Sequence, residues 1–144
     1  MKVDDYNLER FAQAQVGSYE QALREIRLGR KTSHWMWYIF PQMAGLGTSS
    51  TAQFYGLRSL DEARAYLDHA VLGPRLVTCA EAAMDVEGRN ATQIFGTPDD
   101  LKLRSSATLF SLVSPPDSVF HQVLAKYFGG RPDQRTVKLS GAAR

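Results

Sequence analysis

Apolar residues recur along this chain at the spacing of helix faces, with one exception. Tyr19, Ala22, Leu23 and Ile26 fall at i, i+3, i+4 and i+7 behind Ser18-Tyr-Glu-Gln21, which has the form of a capping box, and Gly29 ends the pattern. Before it, Leu8, Phe11 and Ala12 mark a helix that Asp5 is placed to cap and Gly17 to stop. Further on, Ser59-Leu-Asp-Glu62 opens a helix bearing Leu60, Ala63, Tyr66 and Leu67, and Pro74 stands in the first turn of the next, whose stripe is Leu76, Val77, Ala80, Ala83 and Met84. Thr97-Pro98-Asp99-Asp100 combines a cap, a first-turn proline and two carboxylates at the positive end of a helix dipole. The long helix it starts carries apolar residues on two sides and is expected to be largely buried. Pro115-Pro116 breaks it, Asp117 or Ser118 caps a helix with Val119, Phe120, Val123, Leu124 and Tyr127, and Pro132 begins a last short one. A helical turn is expected over 50–55, and one or two turns over 90–95 behind Asn90-Ala-Thr-Gln93, which has the form of a capping box. No run alternates as a strand does.

The exception is Trp35-Met-Trp37-Tyr38-Ile-Phe40, apolar at every position, inside Lys31-Thr-Ser-His34 and Pro41-Gln42. With Ser33 as N-cap and Pro41 as stop, it predicts a short helix that is hydrophobic all round and therefore packed on all sides, with Trp37 among the most buried residues. The expected fold is all-α, a single compact domain over 1–144 of about seven helices around this aromatic helix.

At 144 residues, 44% hydrophobic and 22% charged, the composition is that of one ordinary globular domain, and no apolar run approaches the roughly 20 residues that span a bilayer. The opening residues lack a signal-peptide core, so a cytoplasmic setting is expected. Net charge is +2 with the signs mixed along the chain, which gives no basic stripe for nucleic acid. The single Cys79 leaves no intramolecular disulfide; beside a packed stripe it is expected to be an inert small hydrophobe. The glycine-rich loop at 43–50 has neither the Lys of a phosphate loop nor the third glycine of a dinucleotide fingerprint.

The motif residues carry a resemblance. Leu8-Glu-Arg10-Phe11, Gly29-Arg30-Lys31, His34-Trp-Met-Trp37-Tyr-Ile-Phe-Pro41-Gln42, Gly45-Leu46-Gly47, Leu72-Gly73-Pro74-Arg75-Leu76 and Ile94-Phe95-Gly96-Thr-Pro98-Asp99-Asp100-Leu101-Lys102 resemble a mostly bacterial family of conserved hypothetical proteins, domain of unknown function 1810. The resemblance spans nearly the whole chain and implies a mainly helical single domain with no established activity. Some relatives carry the label calpastatin, which denotes unstructured, charged inhibitor repeats; nothing in this chain has that form.

For chemistry, the histidines at 34, 69 and 121 stand on separate segments, so no zinc motif can be written and no cofactor is implied. His34 joins the basic pair Arg30 and Lys31 to the aromatic run, a polar-apolar border where a titratable group is easily tuned. Two readings follow. In the first, a pocket beside the aromatic run is walled by Trp35 and Trp37, rimmed by Arg30, Lys31, Lys102 and Arg104, supplied with Gln42 and Asp100 as polar partners, and takes an anionic planar metabolite. If such a protein is an enzyme, it is a hydrolase or transferase with His34 as acid or base. In the second, the same residues only cap and clamp the core, and the protein is a non-enzymatic helical interaction module. A concave, partly open motif favours the first and a sealed one the second.

Overall fold

The computed structural model describes residues 4–142. Among them are ten helices and no strand: α1 Glu9–Gln15, α2 Ser18–Arg27, α3 Met36–Ile39, α4 Ser50–Tyr55, α5 Leu60–Asp68, α6 Leu72–Asp85, α7 Ala91–Phe95, α8 Asp99–Ser111, α9 Val119–Phe128 and α10 Gln134–Ser140. The expected number was about seven; seven of the ten have seven or more residues, and α3, α4 and α7, of four to six residues, are the aromatic helix and the short turns expected over 50–55 and 90–95. Such short helices are unstable alone and persist only through tertiary packing.

One core serves the whole chain. α6 lies against α2, α5 and α9, and α8 packs on α9, α7 and α10. As its two apolar sides require, α8 is buried on most faces, with Leu103, Ala107, Leu109 and Phe110 all in the core. α6 reaches α5 closely at Gly73, where a Cβ would stand 2.0 Å from the Leu67 carbonyl oxygen, so only glycine fits there. α1 and α4 bracket α3.

Several helix starts differ in detail from expectation. Asp4, not Asp5, caps α1, accepting from the Leu8 and Glu9 amides at 2.7 and 2.9 Å. Ser18 is the first helical residue of α2 rather than its cap, and its hydroxyl receives the Tyr38 phenol instead. Asn90 and Gln93 form a complete capping box, whereas at α5 only half of one exists. Ser59 Oγ accepts from the Glu62 amide, but the Glu62 carboxylate turns inward.

The reason lies with Arg10. Its five N–H donors are consumed: Nε by the Phe54 carbonyl, Nη1 by the Tyr6 and Asn7 carbonyls, Nη2 by the Gly56 carbonyl and by Glu62 Oε2 at 2.9 Å. The Arg58 amide takes the other oxygen of Glu62. The ion pair is buried, its side chains 8% and 3% exposed, so its loss would leave both a charge and several carbonyls without partners. A lysine keeps the charge but cannot span four segments with a planar fork. Arg10→Lys is therefore expected to cost about 2–4 kcal/mol of folding stability by denaturant titration; a loss below half a kcal/mol would show that the clamp contributes little.

Candidate functional site

The aromatic run contributes to the core but is not uniformly buried. Trp35, Met36, Ile39 and Phe40 are 1–2% exposed, while Trp37 and Tyr38 are half-buried. The expectation that Trp37 would be among the most buried residues is corrected in this respect: a one-turn helix at the edge of the core cannot bury every side it presents. Trp35 fills the deep place, with Phe40 and Phe95 around it at ring-centroid separations of 6.4–6.5 Å. The Phe40–Phe95 pair, at 6.0 Å and near-perpendicular, closes an aromatic triad.

What positions Trp35 is a carboxylate on α2. Glu25 lies on the buried stripe of α2 between Ala22 and Ile26. Its Oε1 accepts from the Thr32 and Ser33 amides and from the Trp35 indole N–H, at 2.8, 3.0 and 2.8 Å. Its Oε2 accepts from Ser33 Oγ at 2.6 Å and Gln21 Nε2 at 3.1 Å. Ser33 thus braces Glu25 rather than capping α3, whose N-cap position falls to Trp35 without a side-chain cap. Burial by itself would raise the Glu25 carboxyl; the hydrogen bonds from Ser33, Thr32 and Trp35 outweigh it and hold the pKa at about 2. On the far side of the run, buried Gln15 donates to the Tyr38 carbonyl and the Tyr66 hydroxyl and accepts from Arg75.

Of the residues read as a site, the structure brings some together. Lys31 Nζ meets Asp99 Oδ2 at 2.8 Å, donates to the Ser33 carbonyl at 2.5 Å and lies 5.0 Å from the centre of the Trp35 ring. Lys102 Nζ meets Asp99 Oδ1 at 3.3 Å and lies 4.8 Å from the Trp37 ring centre. The two lysines do converge, but on a carboxylate of this chain. Asp99 is shared between the two ammonium groups, one carboxylate oxygen for each.

Other candidates lie elsewhere. Arg104 donates to the Arg131 and Pro132 carbonyls and anchors the approach to α10. Arg30 is exposed. Asp100 is buried and receives the Thr92 and Thr97 hydroxyls and the Leu101 amide. Gln42 and Trp37 border a cavity of about 10 Å³ with Met43, Gly47, Ala52, Tyr55 and Gly56, room for one water at most. The His34 ring is exposed, and no hydrogen bond to it is found among the described residues; its carbonyl receives the Tyr38 hydroxyl at 3.4 Å. Cys79 is fully buried and its thiol is pushed up to about 12, chiefly by desolvation, which removes thiolate at neutral pH. Among the described residues no three His, Cys, Asp or Glu side chains gather to hold a metal, and no helix is long and apolar enough to cross a membrane.

Glu25 and Asp99 are the residues that sequence reasoning passed over as site members. The signal for Glu25 was there: an acidic residue at a core position of α2, in step with Ala22 and Ile26. Asp99 was read as a dipole partner of α8, and nothing local says that Lys31, 68 positions earlier, would share it.

The fold and its Trp–Glu–Lys latch define an all-helical domain built around an aromatic motif. The chain belongs to the family described as protein of unknown function (DUF1810), whose model matches residues 5–140. It is similar to the conserved hypothetical protein Rv1873 from Mycobacterium tuberculosis, with 49% identity and a TM-score of 0.94 over 97% of this chain and 100% of that one. No curated protein matches it.

Two outcomes are expected of the latch. Trp35→Ala should cost about 3–5 kcal/mol, and Trp37→Ala clearly less, in matched denaturation curves; equal losses would contradict the difference in depth. A carboxyl held below its unfolded value stabilises the fold above that value and loses the contribution as protons bind in the native state. Stability should therefore fall as pH drops from about 4.5 towards 2. In Glu25→Gln that portion of the acid dependence should be missing, and an unchanged pH profile in the variant would reject the assignment.

Proposed function

We propose that this protein is a non-enzymatic helical interaction module, in which the aromatic motif is a structural latch rather than the wall of a ligand pocket. The observation that carries this reading is the commitment of both motif lysines to Asp99, at 2.8 and 3.3 Å. An anionic metabolite seated there would have to displace a carboxylate already bound to Lys31, a side chain only 7% exposed, and would gain little beyond what it replaced. The cavity next to Trp37 is also far below the few hundred Å³ that enclose a small molecule.

The enzymatic alternative finds equally little support. A histidine acting as general acid or base is held in one tautomer by a partner on its second nitrogen, and His34 has no such partner among the described residues. Ser118 Oγ lies 2.7 Å from His121 Nδ1 while also accepting the His121 amide, which is helix capping. His69 Nδ1 accepts from the Val71 and Leu72 amides and likewise closes a helix start.

Two measurements decide between the readings. Reversible cross-linking in the native host, followed by sizing, should yield a discrete complex larger than the chain that persists in His34→Ala. A panel of nucleotides and sugar phosphates should leave the melting temperature of the wild type unchanged. A metabolite that raises it in the wild type, by mass action on the folded state, and fails to do so in folded Lys102→Ala restores the ligand pocket. A chain that neither shifts with any metabolite nor enters a complex removes the module.

A further inference from the structure

Away from the motif, a groove of about 640 Å³ opens between α5, α6 and α9. Its floor is apolar: Leu67 from α5, Val77 and Met84 from α6 and Val119 from α9, all half-buried. Its α6 side presents positions 77, 81, 84 and 85, which are i, i+4, i+7 and i+8 on one helix face. They form a straight wall about 12 Å long at 1.5 Å per residue. This is the shape of a track for two turns of a facing helix rather than of a closed pouch.

The rim is acidic. Glu81 and Asp85 are exposed, line the groove, and make no ion pair among the described residues; no basic side chain lines it. Lys126, the cation placed nearby, spends its ammonium on the Met84 and Val86 carbonyls at the end of α6. The two carboxylates are also badly placed for the stability of α6. They stand at i, i+4, where like charges repel, and in the last turns of the helix, where the dipole favours cations. A free-standing protein gains nothing from that arrangement, whereas a partner bringing positive charge would relieve it.

We propose that the α5–α6–α9 groove docks an amphipathic segment of a partner protein, its apolar face seated on Val77, Met84 and Val119 and its flanking Lys or Arg residues paired with Glu81 and Asp85. Met84, unbranched and polarisable, adapts to the side chains it receives. This names the surface and the partner class of the interaction module and rests on that reading.

The test uses the full chain with a set of labelled amphipathic peptides of one apolar pattern, whose polar positions are all Lys/Arg or all Glu, read by fluorescence anisotropy. The basic peptides should bind at least 10-fold more tightly than the acidic ones. Glu81→Lys/Asp85→Lys should reverse the order, and added salt should compress the difference. Glu81→Gln/Asp85→Asn should raise the melting temperature of the free protein while weakening the basic peptides, the signature of stability given up for binding. Equal binding of both peptide sets, binding indifferent to the charge reversal, or no binding of either overturns the proposal. So does a homodimer seen by sedimentation and dispersed by the charge reversal, which would assign the groove to a second copy of this chain. If peptides fail while the cross-linked complex from the native host forms equally well with Glu81→Lys/Asp85→Lys, the groove is refuted and the module stands; if no complex forms with the wild type either, both fall.

Discussion

A single buried carboxylate sets the geometry of the motif. Glu25 gathers two backbone amides, a hydroxyl, a side-chain amide and an indole N–H from residues 21–35, so the segment leaving α2 is wrapped around its side chain. Such an anion is tolerated in a core only because every lone pair is met; half-satisfied, it would cost more than an apolar residue in its place. Trp35 is therefore located by a hydrogen bond as much as by packing, and the Phe40–Phe95 pair closes on an indole whose plane is already fixed.

From that point the remaining parts follow in sequence. With Trp35 fixed, Lys31 lies over its ring and is brought to the first turn of α8, where Asp99 receives it; Asp99 in turn holds Lys102 above Trp37. Alternating charges and indole faces thus join α2, α3 and α8, Glu25 being held by neutral donors and the two lysines by Asp99. Arg10 does comparable work elsewhere, joining the chain before α1 to α4 through backbone carbonyls and to α5 through the Glu62 carboxylate. Both devices are made of residues that, read singly, suggest chemistry. Read with their partners, they account for themselves structurally.

Most of the fold was legible in the sequence because amphipathic spacing and end signals report helices longer than two turns, and α2, α5, α6, α8 and α9 are of that kind. Of the four basic residues read as one rim, Lys31 and Lys102 do meet, at Asp99. What could not be read was the third member. Periodicity marks Glu25 as standing on the buried stripe of α2 but does not say which donors from another segment satisfy it, and Asp99 was read only as a dipole partner. Cap identities slipped for a related reason: Ser18, Ser33 and Glu62 each had a tertiary partner that outcompeted the local one.

The unequal depths of the two indoles have a consequence for observing this molecule. Trp35 is sealed between a carboxylate, an ammonium group and two phenylalanines, and Trp37 shares the half-exposed edge with Lys102. The chain therefore contains two optical reporters of different address and no others of their kind: emission from the first follows the integrity of the core, and quenching of the second by a dissolved collider follows the surface. Replacing either indole with phenylalanine would let core and edge be watched separately in one and the same fold.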